Sequence, residues 1–163
     1  MDINKASWRL KSQRGKLQAI RKVRPGRADK RSLFMVAATD CFPQVRAAAA
    51  AKLCSLGSIS SFIMDEAESL RKNHGDAAAI TLLKELIMSI EDESILYDIV
   101  MNVCAEERQE CEEETRGYDW WPRMRRDVGR FAEYRIGSQE LLRQLVANWR
   151  SLPDDVVYNT LSR

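Results

Sequence analysis

Residues 40–53 read DCFPQVRAAAAAKL, and the fold class turns on how this stretch is read. Asp40 stands where a side chain can cap the orphan N–H groups of a helix start. Pro43 suits a first helical turn, where a missing amide donor costs nothing, and the five alanines at 47–51 propagate the helix. Val45, Ala49 and Leu53 recur at helical spacing and define a face to bury, with Ala48 beside it. Five successive alanines carry so little bulk that a neighbouring helix can come close on any side.

The flanking sequence repeats this theme. Residues 30–39 supply Leu33, Phe34, Val36 and Ala37 for a short partner helix. Residues 7–23 predict a moderately amphipathic helix with Leu10, Leu17, Ile20 and Val23 on one side, broken by Arg24, Pro25 and Gly26. Gly57 is expected to end the alanine helix as a left-handed cap, and Ser58 or Ser60 to start the next, with Phe62, Ile63, Ala67 and Leu70 inward. A turn at 73–76 follows. Asp76 is expected to cap a helix over 77–90 bearing Ile80, Leu83, Leu86, Ile87 and Ile90. Acids at 91–93 sit where the positive end of a helix dipole favours them, before a helix carrying Ile95, Leu96, Ile99, Val100 and Val103 that continues through Cys104 toward Thr115. After a break at Gly117 come helices over 120–134 and 139–150, the second with Leu141, Leu142, Leu145, Val146 and Trp149 on its apolar side. A last short helix, capped by Ser151 and opened by Pro153, turns Val156, Val157 and Leu161 inward. Alternating apolar runs are absent, so no strands are expected.

Asp40, Pro43, Val45, Arg46, Ala49 and Leu53 match, as they stand, the Asp-x-x-Pro-x-Val-Arg turn of a HEAT repeat and the alanines and leucine that follow it. The stretch resembles that family. The resemblance is specific at 40–53, extends over residues 7–103 and weakens beyond. It implies an all-α protein, a right-handed α-solenoid of antiparallel helical hairpins with about nine helices, each unit stacking on the next because none can bury both apolar faces alone. The chain then forms one domain: a basic N-terminal helix within 1–24, HEAT-like hairpins over 28–115, and C-terminal helices with tryptophan and arginine over 118–163. Offsets of 30 to 33 residues between hairpins fall below the ~40 usual for such units.

Length and composition agree with one soluble domain. The 163 residues, 45% apolar and 31% charged, suffice for a core without staples. No apolar run approaches the roughly 18 residues of a membrane span and no charged-then-apolar leader opens the sequence, so no membrane partner and a cytoplasmic location are expected. Cys41, Cys54, Cys104 and Cys111 form no Cys-x-x-Cys pair and have one histidine, His74, to join them; buried free thiols are expected, with no metal and no cofactor.

A net charge of +2 conceals strong polarity along the chain. Residues 1–31 hold 11 Lys or Arg against two acids, whereas 85–119 hold 12 acids against two arginines. Such blocks mark interaction surfaces more often than they determine folds. In the first helix Arg9, Lys11, Arg14, Lys16, Arg21 and Lys22 could track a phosphate backbone, meet an acidic protein surface, or remain solvated as a capping face. Only Trp8 interleaves with them, which argues against stacking on single strands. A second cluster, Tyr118, Trp120, Trp121, Arg123, Arg125 and Arg126, concentrates the residue types of binding hot spots. Adjacent tryptophans lie about 100° apart on a helix and cannot share one core. One of them is expected to anchor the core, with the arginines free for a partner or paired with the preceding acids. The acidic run at 106–114 is a solvated helix end, an anionic face for a basic partner, or an imitation of nucleic-acid charge.

Catalysis has thin support: no glycine-rich phosphate loop and no Glu-x-x-His pair are present. Some HEAT-like proteins are DNA glycosylases that set tryptophans and an aspartate on a basic surface, and Asp119 beside Trp120 and Trp121 invites that comparison without matching a motif. The leading expectation is a non-catalytic protein-binding module, scaffold or inhibitor, that uses charge-segregated surfaces and the Trp/Arg cluster. Nucleic-acid binding through the basic helix is the alternative.

Overall fold

A computed structural model describes residues 6–24, 27–104, 120–148 and 160–162. Over these residues the protein is all α, with nine helices and no strand: α1 (Ala6–Arg9), α2 (Gln13–Arg21), α3 (Arg27–Thr39), α4 (Pro43–Ser55), α5 (Ile59–His74), α6 (Asp76–Met88), α7 (Glu93–Cys104), α8 (Trp120–Arg135) and α9 (Gln139–Ala147). The expected continuation of α7 toward Thr115, the break at Gly117 and the last helix with Ser151, Pro153, Val156 and Val157 lie outside the described residues, as does Trp149.

Consecutive helices pack in pairs, α3 on α4, α5 on α6 and α7 on α8. Between pairs, α2 lies on α4, α5 on α7 and α6 on α8, while α3 also packs on α6 and α9 on α7. One continuous apolar core results, running from Trp8 through Phe34, Leu53, Ile63, Leu83, Ile99 and Met124 to Leu145. Each such side chain contributes about 1.5–3 kcal/mol by leaving water. The inward faces expected for α3, α5 and α6 are all buried. In α4, Val45, Ala49, Ala50 and Leu53 are buried, and the small alanines let α2 and α3 both pack closely on it.

The helix ends depart from expectation in instructive ways. Asp40 does not cap α4: the cap position belongs to Phe42, extended and without a side-chain bond, followed by Pro43. Ser58 does cap α5, accepting from Ser61 N at 3.3 Å, and Ser138 caps α9, accepting from Leu141 N at 3.4 Å. The turn expected at 73–76 contracts to one residue, because α5 runs through His74 and Asp76 already belongs to α6 without a cap bond. Gly75 makes this reversal alone at φ 79° and ψ 162°, a backbone region that is essentially glycine-only.

The N-terminal helix is broken. Lys11 N donates to Trp8 O at 3.1 Å to close α1, and Ser12 starts α2 by accepting from Gly15 N at 3.3 Å. Leu10, expected to face inward, is 85% exposed at this break. In an unbroken helix Trp8 and Lys16 would stand about 12 Å apart along the axis; the break lets both reach one carboxylate. Leu161, also expected inward, is exposed, whereas Thr160 beside it is buried.

Candidate partner-binding surfaces

The carboxylate that gathers the N-terminal segment is Asp40, in the turn before α4. Its Oδ2 accepts from Lys16 Nζ at 2.8 Å and Trp8 Nε1 at 3.2 Å, and its Oδ1 from Phe42 N at 3.1 Å. Arg46 donates to Asp40 O at 2.9 Å. The Lys16 ammonium also sits 5.6 Å from the Trp8 ring centroid and 5.1 Å from that of Phe42, so two aromatic faces and one carboxylate enclose it. Burial pushes the Asp40 carboxyl pKa up, but the bond from Lys16, the Phe42 N–H, the charge of Lys16 and the Trp8 N–H outweigh it and hold the pKa below its ordinary value.

This geometry removes Lys16 from the predicted basic face. It is 4% exposed and its charge is spent inside the molecule. Trp8 is buried too, so it offers no ring to a ligand. Arg9, Lys11, Arg14, Arg21 and Lys22 remain exposed, joined by Arg24, and none of the six forms an ion pair among the described residues. No acid occurs from residue 6 to 24. Arg14 and Arg21, seven residues apart, fall within about 20° of one line along α2.

The tryptophan and arginine cluster is divided by α8 rather than presented by it. Trp120 is 4% exposed, its ring in the core and 6.0 Å from the Arg71 guanidinium of α5. Arg125, expected at a contact surface, is 5% exposed and lies 5.9 Å from the Trp121 ring. Trp121 is half-buried against the core, Arg123 reaches Asp127 at 3.8 Å, and among the described members of the cluster only Arg126 is exposed. The arc that buries Trp120, Met124 and Val128 also carries Arg125 inward. Tyr118, Asp119 and the acidic run at 106–114 lie outside the described residues.

Sequence reasoning passed over the outer side of α6 and α8. Arg126, Arg130 and Tyr134 follow one another at four-residue spacing, all exposed, and Lys84 of α6 places its ammonium 5.3 Å from the Phe131 ring. The spacing was visible in the sequence; that its neighbour would be α6 was not.

A cavity of about 390 Å³ opens between α4 and the start of α7, lined by Ala47, Ala51, Cys54, Ile90, Asp92 and Ile95 among others. Cys54 is half-buried, and burial pushes its thiol up to about 11. Cys41, expected buried, is exposed beside Asp40, because the turn before α4 spends its inward space on the aspartate. The Cys104 side chain and Cys111 lie outside the described residues. Among the described residues no three His, Cys, Asp or Glu side chains gather as a metal site, and no single helix is long and apolar enough to cross a membrane. No family model, curated protein or solved structure matches this chain.

Proposed function

We propose that this protein is a non-catalytic helical binding module of HEAT-like type that engages a partner protein, with the exposed cations of α1 and α2 meeting an acidic surface on that partner. The pairing of consecutive helices and the contacts of α2 with α4, α5 with α7 and α6 with α8 support a stacked-hairpin reading, as does the turn signature at 40–53. The observation that carries the functional reading is the set of six exposed cations without an ion pair among the described residues, on a segment without acids. Uncompensated like charges repel one another in the free protein, and an anionic partner relieves that repulsion as it docks. Such steering raises association rates and weakens with salt.

The test is affinity capture from native extract with wild type and with Lys11→Glu/Arg14→Glu/Arg21→Glu. The wild-type chain should retain an acidic protein that elutes with salt, and the triple variant should lose it. Equal capture by both removes this face from the reading.

A second reading places nucleic acid on the same face, favoured by the alignment of Arg14 and Arg21 along α2. Duplex binding that neutralises four phosphates would give a log-log salt slope of about −3.6. A flat salt response excludes it. With Trp8 buried, base stacking on this face has no aromatic platform.

A further inference from the structure

The outer surface shared by α6 and α8 carries an independent inference. The two helices end together: Arg135 of α8 donates to Ile90 O, just past α6, at 2.8 Å, and Lys84 lies over Phe131 at 5.3 Å. Met88, one turn beyond Lys84, and Tyr134, three residues beyond Phe131, therefore border the same patch. Met88 is 39% exposed and Tyr134 72%, two of four large apolar side chains exposed among the described residues; the other two, Leu10 and Leu161, belong to neither helix. Charges of both signs border the patch: Lys84 and Arg126 are exposed, Glu85 beside Lys84 is half-buried and Glu91 past α6 exposed, and Asp127 of α8 is engaged by Arg123 at 3.8 Å.

We propose that this surface docks an acidic peptide segment with apolar side chains spaced along one helical face. The apolar part of the patch, Met88, Phe131 and Tyr134, offers a thioether that adapts its shape and two rings that anchor contact at low entropic cost. The exposed cations, Lys84 over the Phe131 ring and Arg126 further back on α8, select a partner of opposite sign whose carboxylates flank an apolar stripe. Nucleic acid is the poorer fit, because the cations here are fewer than on α1 and α2.

The probe is a fluorescein-labelled peptide rich in glutamate with leucine and phenylalanine at i, i+3, i+4 and i+7. A control peptide has the same charge with serine at those positions, and a labelled DNA duplex completes the set. Anisotropy titrations should show binding of the apolar acidic peptide, at least tenfold weaker binding of the serine control, and at least a tenfold loss with Tyr134→Ala or Met88→Glu. Lys11→Glu/Arg14→Glu, on the other basic face, should leave this affinity unchanged, which separates the present proposal from the previous one. Because Met88 and Tyr134 are exposed, both variants should keep the wild-type circular dichroism spectrum. Absence of peptide binding by the wild-type chain overturns the proposal. So do equal binding of the two peptides, unchanged affinity in both patch variants, or a patch-dependent preference for the duplex.

Discussion

Substituting Asp40 by asparagine tests the junction on which the N-terminal segment hangs. The side chain keeps its shape, but its single amide oxygen can replace Oδ1 toward Phe42 N or Oδ2 toward Trp8 Nε1 and not both, and the Lys16 ammonium, 4% exposed between two rings, loses its counter-charge. Breaking a buried pair from one side typically costs about 3–5 kcal/mol, because the remaining charge stays desolvated without compensation. With a urea m-value of about 2 kcal/mol/M, the unfolding midpoint should fall by about 1.5–2.5 M. Removing the stranded charge should restore part of this: Lys16→Met/Asp40→Asn is expected to be more stable than the sum of the two single changes predicts, by about 1–3 kcal/mol. Circular dichroism follows the helices and tryptophan fluorescence follows the Trp8 environment. A loss below about 1 kcal/mol for Asp40→Asn, the range of an exposed pair, would refute the buried junction. Strict additivity in the double-mutant cycle would refute the pairing itself.

The same carboxylate predicts an acid response: its folded pKa lies below the unfolded 3.8, so its contribution is complete above that value and lost as pH falls through the folded one. The stability gap between wild type and Asp40→Asn should therefore narrow below about pH 4, as urea titrations at a series of pH values would show. Gly75→Ala should cost about 1–3 kcal/mol by thermal melting although open space surrounds the new methyl group, and Gly75→Asn should not recover it, because φ 79° with ψ 162° is not the left-handed helical region that asparagine tolerates. Iodoacetamide at pH 8 with peptide mapping should modify exposed Cys41 readily and Cys54 slowly, since a thiol pKa of about 11 leaves little thiolate; equal rates would contradict the half-buried placement of Cys54.

Helical periodicity made much of this molecule legible before any coordinates. The buried faces of α3, α5 and α6 follow from spacing alone, because each helix packs one arc and repeated apolar positions mark it. Ser58 was readable, beside Ser60, as a candidate cap for the same local reason. What escaped depended on groups distant in sequence. Asp40 reads locally as a cap, yet a lysine 24 positions earlier and a tryptophan 32 positions earlier claim its carboxylate. Lys16 reads as part of a cationic stripe, and only the break at residues 10–12 turns it inward. Composition marked the residues around Trp120 as a hot spot, but composition does not say which arc of α8 faces α6 and α7; packing placed Trp120 and Arg125 inside and left Arg126 outside. Tyr134 and Met88 looked unremarkable singly, since neither sits in a motif and their adjacency exists only after α6 and α8 align.

Most packing partners here are near neighbours along the chain, and this shapes how the protein assembles. Paired helices such as α3 with α4 and α5 with α6 can meet after closing only a few residues, so little loop entropy opposes them. One polar tie spans much further: the Ser89 hydroxyl shares its single proton between Glu85 O at 2.9 Å, one turn back, and Ala37 O at 3.0 Å, across 52 positions. It joins the end of α6 to the last turn of α3, so it forms only once those two helices, drawn from different pairs, have docked. Ser89 thus acts as a late clasp, a reporter of when two locally built pieces have become one body.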